Sequence, residues 1–238
     1  MKKHIPNFIT LINLFCGCCA LANIFYGQFV QAFWFFLAGG IADYLDGMIA
    51  RKMKINTSLG KELDSMADMV SFGVVPGAIF YMLLTKGFKG AEVLPIQLTF
   101  AAAPAFLVSV FAGLRLARFN LDTRQTDHFI GLNTPAATIF AVGLMLIFHY
   151  DTFGLAQWVT QPALLYTCIA ALSYLLVAEI PMFNFKFKHL RWKGNEIRFI
   201  FAALALGLLI CLKEAALSLI ILSYILFSLG NNLIAKKA

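Results

Sequence analysis

The segment that decides the fold is IADYLDGMIARKMKINTSLGKELDSMADMVSFGVVPG, residues 41–77. It carries two pairs of aspartates, Asp43 with Asp46 and Asp64 with Asp68, between long apolar runs. Spacings of three and four residues place each pair on one face of a helix. The segment therefore predicts two neighbouring helices whose carboxylates meet at a common level.

The rest of the chain is too apolar for a soluble domain. Hydrophobic residues make up 61% of its 238 residues and charged residues only 13%, whereas soluble domains are about 45–50% apolar and about 25% charged. A membrane span needs about 20 mainly apolar residues, and eight such segments are present: 8–26, 29–50, 64–84, 97–117, 134–150, 162–178, 197–212 and 215–234. Because the last two are nearly fused, seven is the alternative count. Alternating barrel strands and flexible linkers are absent. The sequence thus predicts an all-α integral membrane protein, a bundle of about eight transmembrane helices in one domain, 1–238.

The positive charges predict the orientation. If the first helix is uncleaved, with Asn7 as its N-cap and its N-terminus inside, every Lys and Arg except Lys86, Lys89 and Lys213 falls on the inner side. Positive residues favour the cytoplasmic side. We therefore expect a multi-pass protein of the cell membrane with both termini and the aspartates facing the cytoplasm. The net charge of +7 then mostly reflects the orientation of the chain in the membrane, with some attraction to anionic lipid. No nucleic-acid partner is expected.

The four aspartates lie where hydrocarbon is expected. Measured along the helix from Arg51, Asp46 is roughly 7 Å and Asp43 roughly 12 Å inward, and Asp68 is roughly 10 Å inward of Lys61. Each carboxylate costs about 2.5–3.5 kcal/mol to insert. Neither helix has a cation at that depth, so we expect a bound counter-charge. Carboxylate oxygens without nearby His or Cys favour Mg²⁺, Mn²⁺ or Ca²⁺.

The spacing of these residues matches a family signature. The pattern Asp43-x2-Asp46-Gly47-x2-Ala50-Arg51-x8-Gly60-x3-Asp64-x3-Asp68 resembles the complete signature, 43–68, of the CDP-alcohol phosphotransferases. The resemblance implies a core of six helices, followed here by two extra helices at about 197–234. It also implies one or two divalent ions, Mg²⁺ or Mn²⁺, and replacement of CMP by an alcohol.

On this resemblance all four aspartates hold the metal, and Asp68 is also the catalytic base. The residues implied to bind the cytidine diphosphate group are Asp43, Gly47, Ala50, Arg51 and Gly60. Helix packing remains the alternative explanation for the small residues among them.

Three further segments narrow the choice of acceptor alcohol. SFGVVPG (71–77), RLARFN (115–120) and GLNTPAA (131–137) resemble the bacterial-type phosphatidylserine synthases of this family, although Pro is more usual than Asn133. This resemblance implies transfer of the phosphatidyl group from CDP-diacylglycerol to the hydroxyl of L-serine, giving phosphatidylserine and CMP among membrane lipids. Arg115 and Arg118 share a helix face, and either can bind the serine carboxylate or a lipid phosphate. The alternative is that both are topology anchors.

Other interpretations stay open. A sister enzyme would use glycerol 3-phosphate or an inositol phosphate as acceptor, and a cation transporter would use the carboxylates to bind its cargo. The oligomeric state is also open, with a homodimer as one alternative. Asn13 and Asn23, both within the first apolar segment, either face a polar cavity or bond between helices. The five cysteines are best explained as small apolar filler.

Overall fold

The computed structural model describes residues 4–55, 57–90, 92, 99–121, 129–182 and 195–235. Nearly all of these residues are helical. The α-helices in chain order are α1 Ile5–Phe25, α2 Phe29–Met53, α3 Ser58–Asp68, α4 Val75–Lys89, α5 Leu107–Leu121, α6 Thr134–Tyr150, α7 Ala156–Val159, α8 Pro162–Val177, α9 Glu196–Leu212 and α10 Ala215–Ala235. The other elements are a π-helical segment Met69–Val74, 3₁₀ turns Phe100–Phe106 and Thr152–Gly154, and the two-residue strands β1 Phe129–Ile130 and β2 Pro181–Met182.

These elements form eight apolar rods in the predicted order, and the chain is an all-α membrane protein. Four rods have the length and composition to cross a membrane: Ile5–Phe25, Phe29–Met53, Ser58–Lys89 and Phe100–Leu121. The other four are shorter apolar helices: Thr134–Tyr150, Pro162–Val177, Arg198–Leu212 and Ala215–Gly230. The third segment, predicted at roughly 64–84, is longer than expected, because α3, the π-helical segment and α4 form one 32-residue rod. The fourth, predicted at roughly 97–117, is described over Phe100–Leu121 and begins with a 3₁₀ turn.

Two helix starts show how polar side chains set the boundaries. The prediction that Asn7 caps the first helix was wrong. Helix α1 begins at Ile5 with Pro6 in its first turn, where the missing proline N–H would have had no partner in any case. Asn133, which stands where proline is more usual in the similar segment of the family, is the N-cap of α6. Its Oδ1 accepts a hydrogen bond from the Ala136 N–H at 2.8 Å, the normal role of an N-cap asparagine.

A hairpin between α2 and α3 brings the aspartates together. Helix α2 ends at Met53 and is followed by Lys54, whose φ of 54° is left-handed, the conformation that commonly terminates helices. Helix α3 starts at Ser58 and is capped by Thr57, whose Oγ1 accepts the Gly60 N–H at 3.0 Å. Because the two helices are joined by so few residues, the acidic end of α2 lies beside the acidic start of α3.

Helix α4 lies at the centre of the bundle. Every residue from Val75 to Lys86 is buried, which is the pattern of a helix surrounded by others. The π-helical segment connects this core to α3. On one side Ser71 Oγ donates to the Asn13 carbonyl of α1, and on the other Thr138 Oγ1 of α6 donates to the Phe72 carbonyl at 2.9 Å. The aspartates of α3 are therefore connected to the fully buried part of α4.

The short strands were not expected from the sequence. Strand β1 pairs antiparallel with β2, with Phe129 opposite Met182 and Ile130 opposite Pro181. This pairing joins the segment before α6 to the segment after α8.

Candidate functional site

Three of the four aspartates form one cluster. Asp43 of α2 and Asp64 and Asp68 of α3 each present a carboxylate oxygen, and these atoms lie within 4.8 Å of one another. The hairpin between α2 and α3 produces this approach, and the four-residue spacing keeps both α3 carboxylates on the same face. The structure therefore brings together these three residues, as their spacing predicts.

Asp46 lies beside this cluster with a different environment. It is only 5% exposed and does not belong to the group of three carboxylates. Thr10 Oγ1 of α1 donates a hydrogen bond to Asp46 Oδ2 at 2.5 Å. The sequence analysis missed Thr10, because only the packing of α1 against α2 shows that this hydroxyl reaches the aspartate.

The cluster has the properties of a site for a hard cation. Its ligand atoms are all carboxylate oxygens, the donors that Mg²⁺ and Mn²⁺ prefer. Asp68 Oδ1 is buried and has no hydrogen-bond partner among the described residues. An enclosed carboxylate oxygen is costly unless a cation or a donor satisfies it. The residues present therefore fit a divalent metal ion.

A cleft next to the cluster is walled by α1, α2 and α3. Its cavity volume is about 130 Å³, and it is lined by Pro6, Asn7, Thr10, Asp46, Gly47, Ala50, Ile55, Thr57, Gly60, Lys61 and Asp64. Three of the predicted diphosphate-binding positions, Gly47, Ala50 and Gly60, are among these residues. Asp43 lies in the carboxylate cluster instead.

The two glycines of the cleft leave room that a side chain would take. An added Cβ at Gly60 would lie 3.2 Å from Asn7 Oδ1 and 3.0 Å from Thr57 Oγ1. At Gly47 it would lie 3.4 Å from Arg51 Nη1. Arg51, whose side chain is exposed at the end of α2, is thus beside the cleft without lining it. A place in the cleft could not be predicted for Asn7 or Lys61, since neither belongs to the signature pattern.

The two arginines of α5 differ, although they share a helix face in the sequence. Arg115 is 7% exposed, interacts electrostatically with Asp68 and with Tyr224 of α10, and has no hydrogen-bond partner for Nε among the described residues. Its guanidinium carbon lies 5.7 Å from the centre of the Phe119 ring, a cation–π distance. Arg118 is exposed. The structure therefore brings Arg115, and not Arg118, to the aspartates.

Arg115 also changes the charge balance expected from the sequence. The two acidic helices have no cation at the depth of the aspartates, so a bound counter-charge was expected, but a third helix supplies a guanidinium. The approach of α5 to α3 is fixed nearby, where Asn120 Nδ2 donates to Ser65 Oγ at 2.7 Å. One guanidinium cannot balance four carboxylates, so the need for a bound cation remains.

Comparison with known proteins gives consistent results. The sequence model of the CDP-alcohol phosphatidyltransferase family matches residues 3–170. The chain is 35% identical over 189 residues to the CDP-diacylglycerol–serine O-phosphatidyltransferase of Bacillus subtilis (strain 168), covering 79% of this chain and 93% of that protein. It is 32% identical over 229 residues to the protein of the same name from Helicobacter pylori (strain ATCC 700392 / 26695), covering 94% and 89%. The Saccharomyces cerevisiae protein of that name is 34% identical over 177 residues, covering 64% and 59%.

Proposed function

Because this chain belongs to the CDP-alcohol phosphatidyltransferase family, we propose that it transfers the phosphatidyl group of CDP-diacylglycerol to L-serine. The products are phosphatidylserine and CMP. The observation that carries the proposal is the cluster of Asp43, Asp64 and Asp68 beside a cleft at one end of an apolar bundle. The relatives named above are consistent with serine as the acceptor.

The reaction exchanges one phosphorus–oxygen bond for another. The serine hydroxyl oxygen forms a bond to the phosphorus that carries diacylglycerol, and the bond from that phosphorus to the bridging oxygen of the diphosphate breaks. CMP leaves with the bridging oxygen. The hydroxyl proton passes to Asp68, whose enclosed Oδ1 has no other partner among the described residues. A carboxylate is a weak base for an alcohol, so positioning and electrostatic stabilisation must provide most of the acceleration.

Asp43, Asp64 and Asp68 would hold the divalent ion, and Mg²⁺ or Mn²⁺, as one ion or two, are the species proposed. Asp46 is the fourth proposed ligand. When bound, such an ion neutralises diphosphate charge and stabilises charge that develops on the attacking and leaving oxygens. Thr10 restrains Asp46 by the hydrogen bond to its Oδ2, which holds this carboxylate in place beside the cluster.

The cleft is the proposed site of the cytidine diphosphate group. Gly47, Ala50 and Gly60 line this cleft. Because these residues are small, a bulky polar ligand can approach the helix backbone closely. Lys61 on the cleft wall and Arg51 beside it add positive charge suited to phosphate. Asp43, at the cluster end, is the proposed link between the nucleotide and the reacting phosphorus.

Serine is the proposed acceptor because the site has limited positive charge. Arg115 is buried near Asp68, and a guanidinium pairs with a carboxylate through two parallel hydrogen bonds. Glycerol 3-phosphate or an inositol phosphate would bring about two negative charges and would call for more cations at this point. Arg118 is exposed, and the one ligand proposed for it is a lipid phosphate.

The proposed setting is the cytoplasmic membrane. The chain acts there as one membrane-embedded domain, as a monomer or a homodimer, with both termini and the cleft facing the cytoplasm. The orientation rests on the charge asymmetry, part of which involves residues 183–194 outside the described part of the chain. In a cysteine-free variant, single cysteines at Lys54 and Lys89, both exposed, should react with an impermeant thiol reagent from opposite sides of the membrane. Reaction of both from one side would refute the orientation.

One assay tests the function directly. Purified full-length protein is mixed with CDP-diacylglycerol and Mg²⁺ or Mn²⁺, and CMP release is scored with serine, glycerol 3-phosphate and an inositol phosphate in separate reactions. We expect CMP and phosphatidylserine in equal amounts with serine alone. CMP release only with a phosphorylated alcohol would reassign the acceptor, and no release with any alcohol would refute transferase activity.

A further inference from the structure

Asn13 of α1 is a buried polar residue that the proposed reaction does not use. It is 0% exposed, and neither its Oδ1 nor its Nδ2 has a hydrogen-bond partner among the described residues. Asn23, on the same helix, behaves in the ordinary way, because its Nδ2 donates to the Cys19 carbonyl at 2.8 Å. Buried side-chain amides are nearly always hydrogen-bonded, so Asn13 needs a functional explanation and Asn23 does not.

Contacts with α2 and with the π-helical segment place Asn13 about one helical turn from the aspartate cluster. On the α2 side, the position of a Cβ added at Gly39 lies 3.2 Å from Asn13 Oδ1, and Asp43 follows Gly39 by four residues. On the other side, Ser71 Oγ donates to the Asn13 carbonyl at 3.2 Å, and Asp68 precedes Ser71 by three residues. At 1.5 Å per residue, the two aspartates are offset from Asn13 by only about one helical turn.

The hydrogen bonds along α1 support this placement. Thr10 lies one turn before Asn13 on the same face and donates to Asp46. Because α1 and α2 pack side by side, the next turn of α1 faces the next turn of α2, which carries Asp43. Helix α1 therefore carries a hydroxyl bonded to Asp46 and, one turn later, an amide whose oxygen lies beside Gly39, one turn from Asp43.

The unpaired groups are chemically complementary. Asp68 Oδ1 is an enclosed acceptor without a donor among the described residues, and Asn13 Nδ2 is an enclosed donor without an acceptor there. An amide nitrogen has two N–H donors, and an ionised carboxylate only accepts. Carboxylates that bind metals are themselves usually held by such outer hydrogen bonds.

We propose that Asn13 is a positioning residue for the metal centre, with its amide donating to Asp68 Oδ1 through one enclosed water. The inference rests on the proposed function only in taking the aspartates as metal ligands. The amide fixes the carboxylate orientation that a divalent ion requires, and it does so from the membrane side, where bulk water cannot. The small residues Gly17 and Gly39 let the neighbouring elements close over it, since added Cβ atoms there would meet Ser71 Oγ and Asn13 Oδ1.

Direct titration with Mn²⁺ tests this proposal without substrates. Purified full-length protein is stripped with a chelator, and free Mn²⁺ is measured by electron paramagnetic resonance during the titration. We expect Asn13→Leu, which has a similar size and no donor, to weaken Mn²⁺ binding 10- to 100-fold, the usual effect of losing an outer hydrogen bond at a metal site. Asn23→Leu is the matched control and should bind Mn²⁺ within about twofold of the unmodified protein.

Two further measurements separate positioning from other roles. The unfolding temperature of stripped Asn13→Leu should change little, because the loss of the donor to Asp68 is offset by removal of a buried amide oxygen that has no partner among the described residues. Asn13→Asp keeps an oxygen but loses the N–H donors, so it should also bind Mn²⁺ more weakly. It provides the affinity measurement if Asn13→Leu does not fold.

The outcomes that overturn the proposal are specific. Unchanged Mn²⁺ affinity in Asn13→Leu would remove Asn13 from the centre, and a parallel fall in unfolding temperature would make its role structural. Affinity in Asn13→Asp equal to or tighter than that of the unmodified protein would make Asn13 Oδ1 a direct ligand instead. Failure of the unmodified protein to release CMP while it binds Mn²⁺ normally would refute the proposed reaction and leave this inference standing.

Discussion

Replacement of Arg115 by alanine should weaken serine binding far more than the same change at Arg118. Arg115 is 7% exposed, and its Nε has no hydrogen-bond partner among the described residues, so a serine carboxylate would bind its guanidinium away from bulk water. Arg118 is exposed, where competing water and mobile side chains reduce ion pairs to little. The two residues therefore form a matched pair with the same chemistry and different burial.

The magnitude follows from the interaction that is lost. A hydrogen-bonded contact to a charged group contributes about 1.5–3 kcal/mol, and each 1.4 kcal/mol is a factor of ten. We expect KM for serine to rise about 10- to 150-fold in Arg115→Ala. For an exposed residue the change is within about 0.5 kcal/mol, so Arg118→Ala should change KM about twofold at most. Arg115→Lys should recover only part of the loss, because an ammonium cannot form two parallel bonds.

The assay is CMP release at varied serine and at varied CDP-diacylglycerol, with the unfolding temperature of each variant as the folding control. A rise confined to serine in Arg115→Ala supports the carboxylate contact. A rise confined to CDP-diacylglycerol would refute it and would assign Arg115 to the donor phosphates. Equal effects of the two alanine variants would refute the argument from burial.

Three other changes test separate parts of the structure. Asp68→Asn should lower turnover about 10²–10⁴-fold in the CMP-release assay while CDP-diacylglycerol still binds in a direct binding assay, and near-normal turnover would remove Asp68 as the base. Thr10→Val removes the donor to Asp46 and should lower the free energy of unfolding by about 1.5–3 kcal/mol in denaturant titrations. Thr10→Ser should keep most of that stability, and a Ser variant as unstable as Val would refute the hydrogen-bond explanation. Gly143→Ala places a Cβ 2.6 Å from a backbone nitrogen of α10 and should destabilise by about 1–3 kcal/mol, whereas Gly207→Ala, in open space, should not lower the unfolding temperature.

The sequence predicts the rods of this fold well because hydrophobic length is a property of the chain itself. A run of about 20 apolar residues in a membrane has to be helical, so the eight segments and their order follow without knowledge of packing. The aspartate pairs follow for a similar reason, since helical spacing alone fixes which side chains share a face. The three clustered aspartates lie within two such segments and the short turn between them.

Contacts between segments that are distant in sequence could not be predicted in this way. Arg115 and Arg118 are equivalent in helical spacing, and only the packing of α5 against its neighbours decides that one is buried and the other exposed. Thr10 carries no signal in the sequence, and the two alternatives for Asn13 could not be separated there, because a hydroxyl or amide in an apolar helix is as often bonded within its own helix. Asn23, which bonds to the Cys19 carbonyl, is an example of that ordinary case.

The π-helical segment explains how a polar site is held at the end of an apolar bundle. It begins immediately after Asp68 and ends before Pro76, and within it the Val75 N–H bonds to the Val70 carbonyl, five residues earlier. Such insertions widen the helix and change the direction of the side chains that follow, and they are frequent at functional sites. Here Ser71 of the segment donates a hydrogen bond to α1, and Thr138 of α6 donates one to the segment. The two neighbouring helices therefore hold the segment in place. The position of Asp68, immediately before the segment, is thereby coupled to the packing of the fully buried α4. The residues that give the site its geometry thus extend beyond the acidic signature, into the buried helix that continues from it.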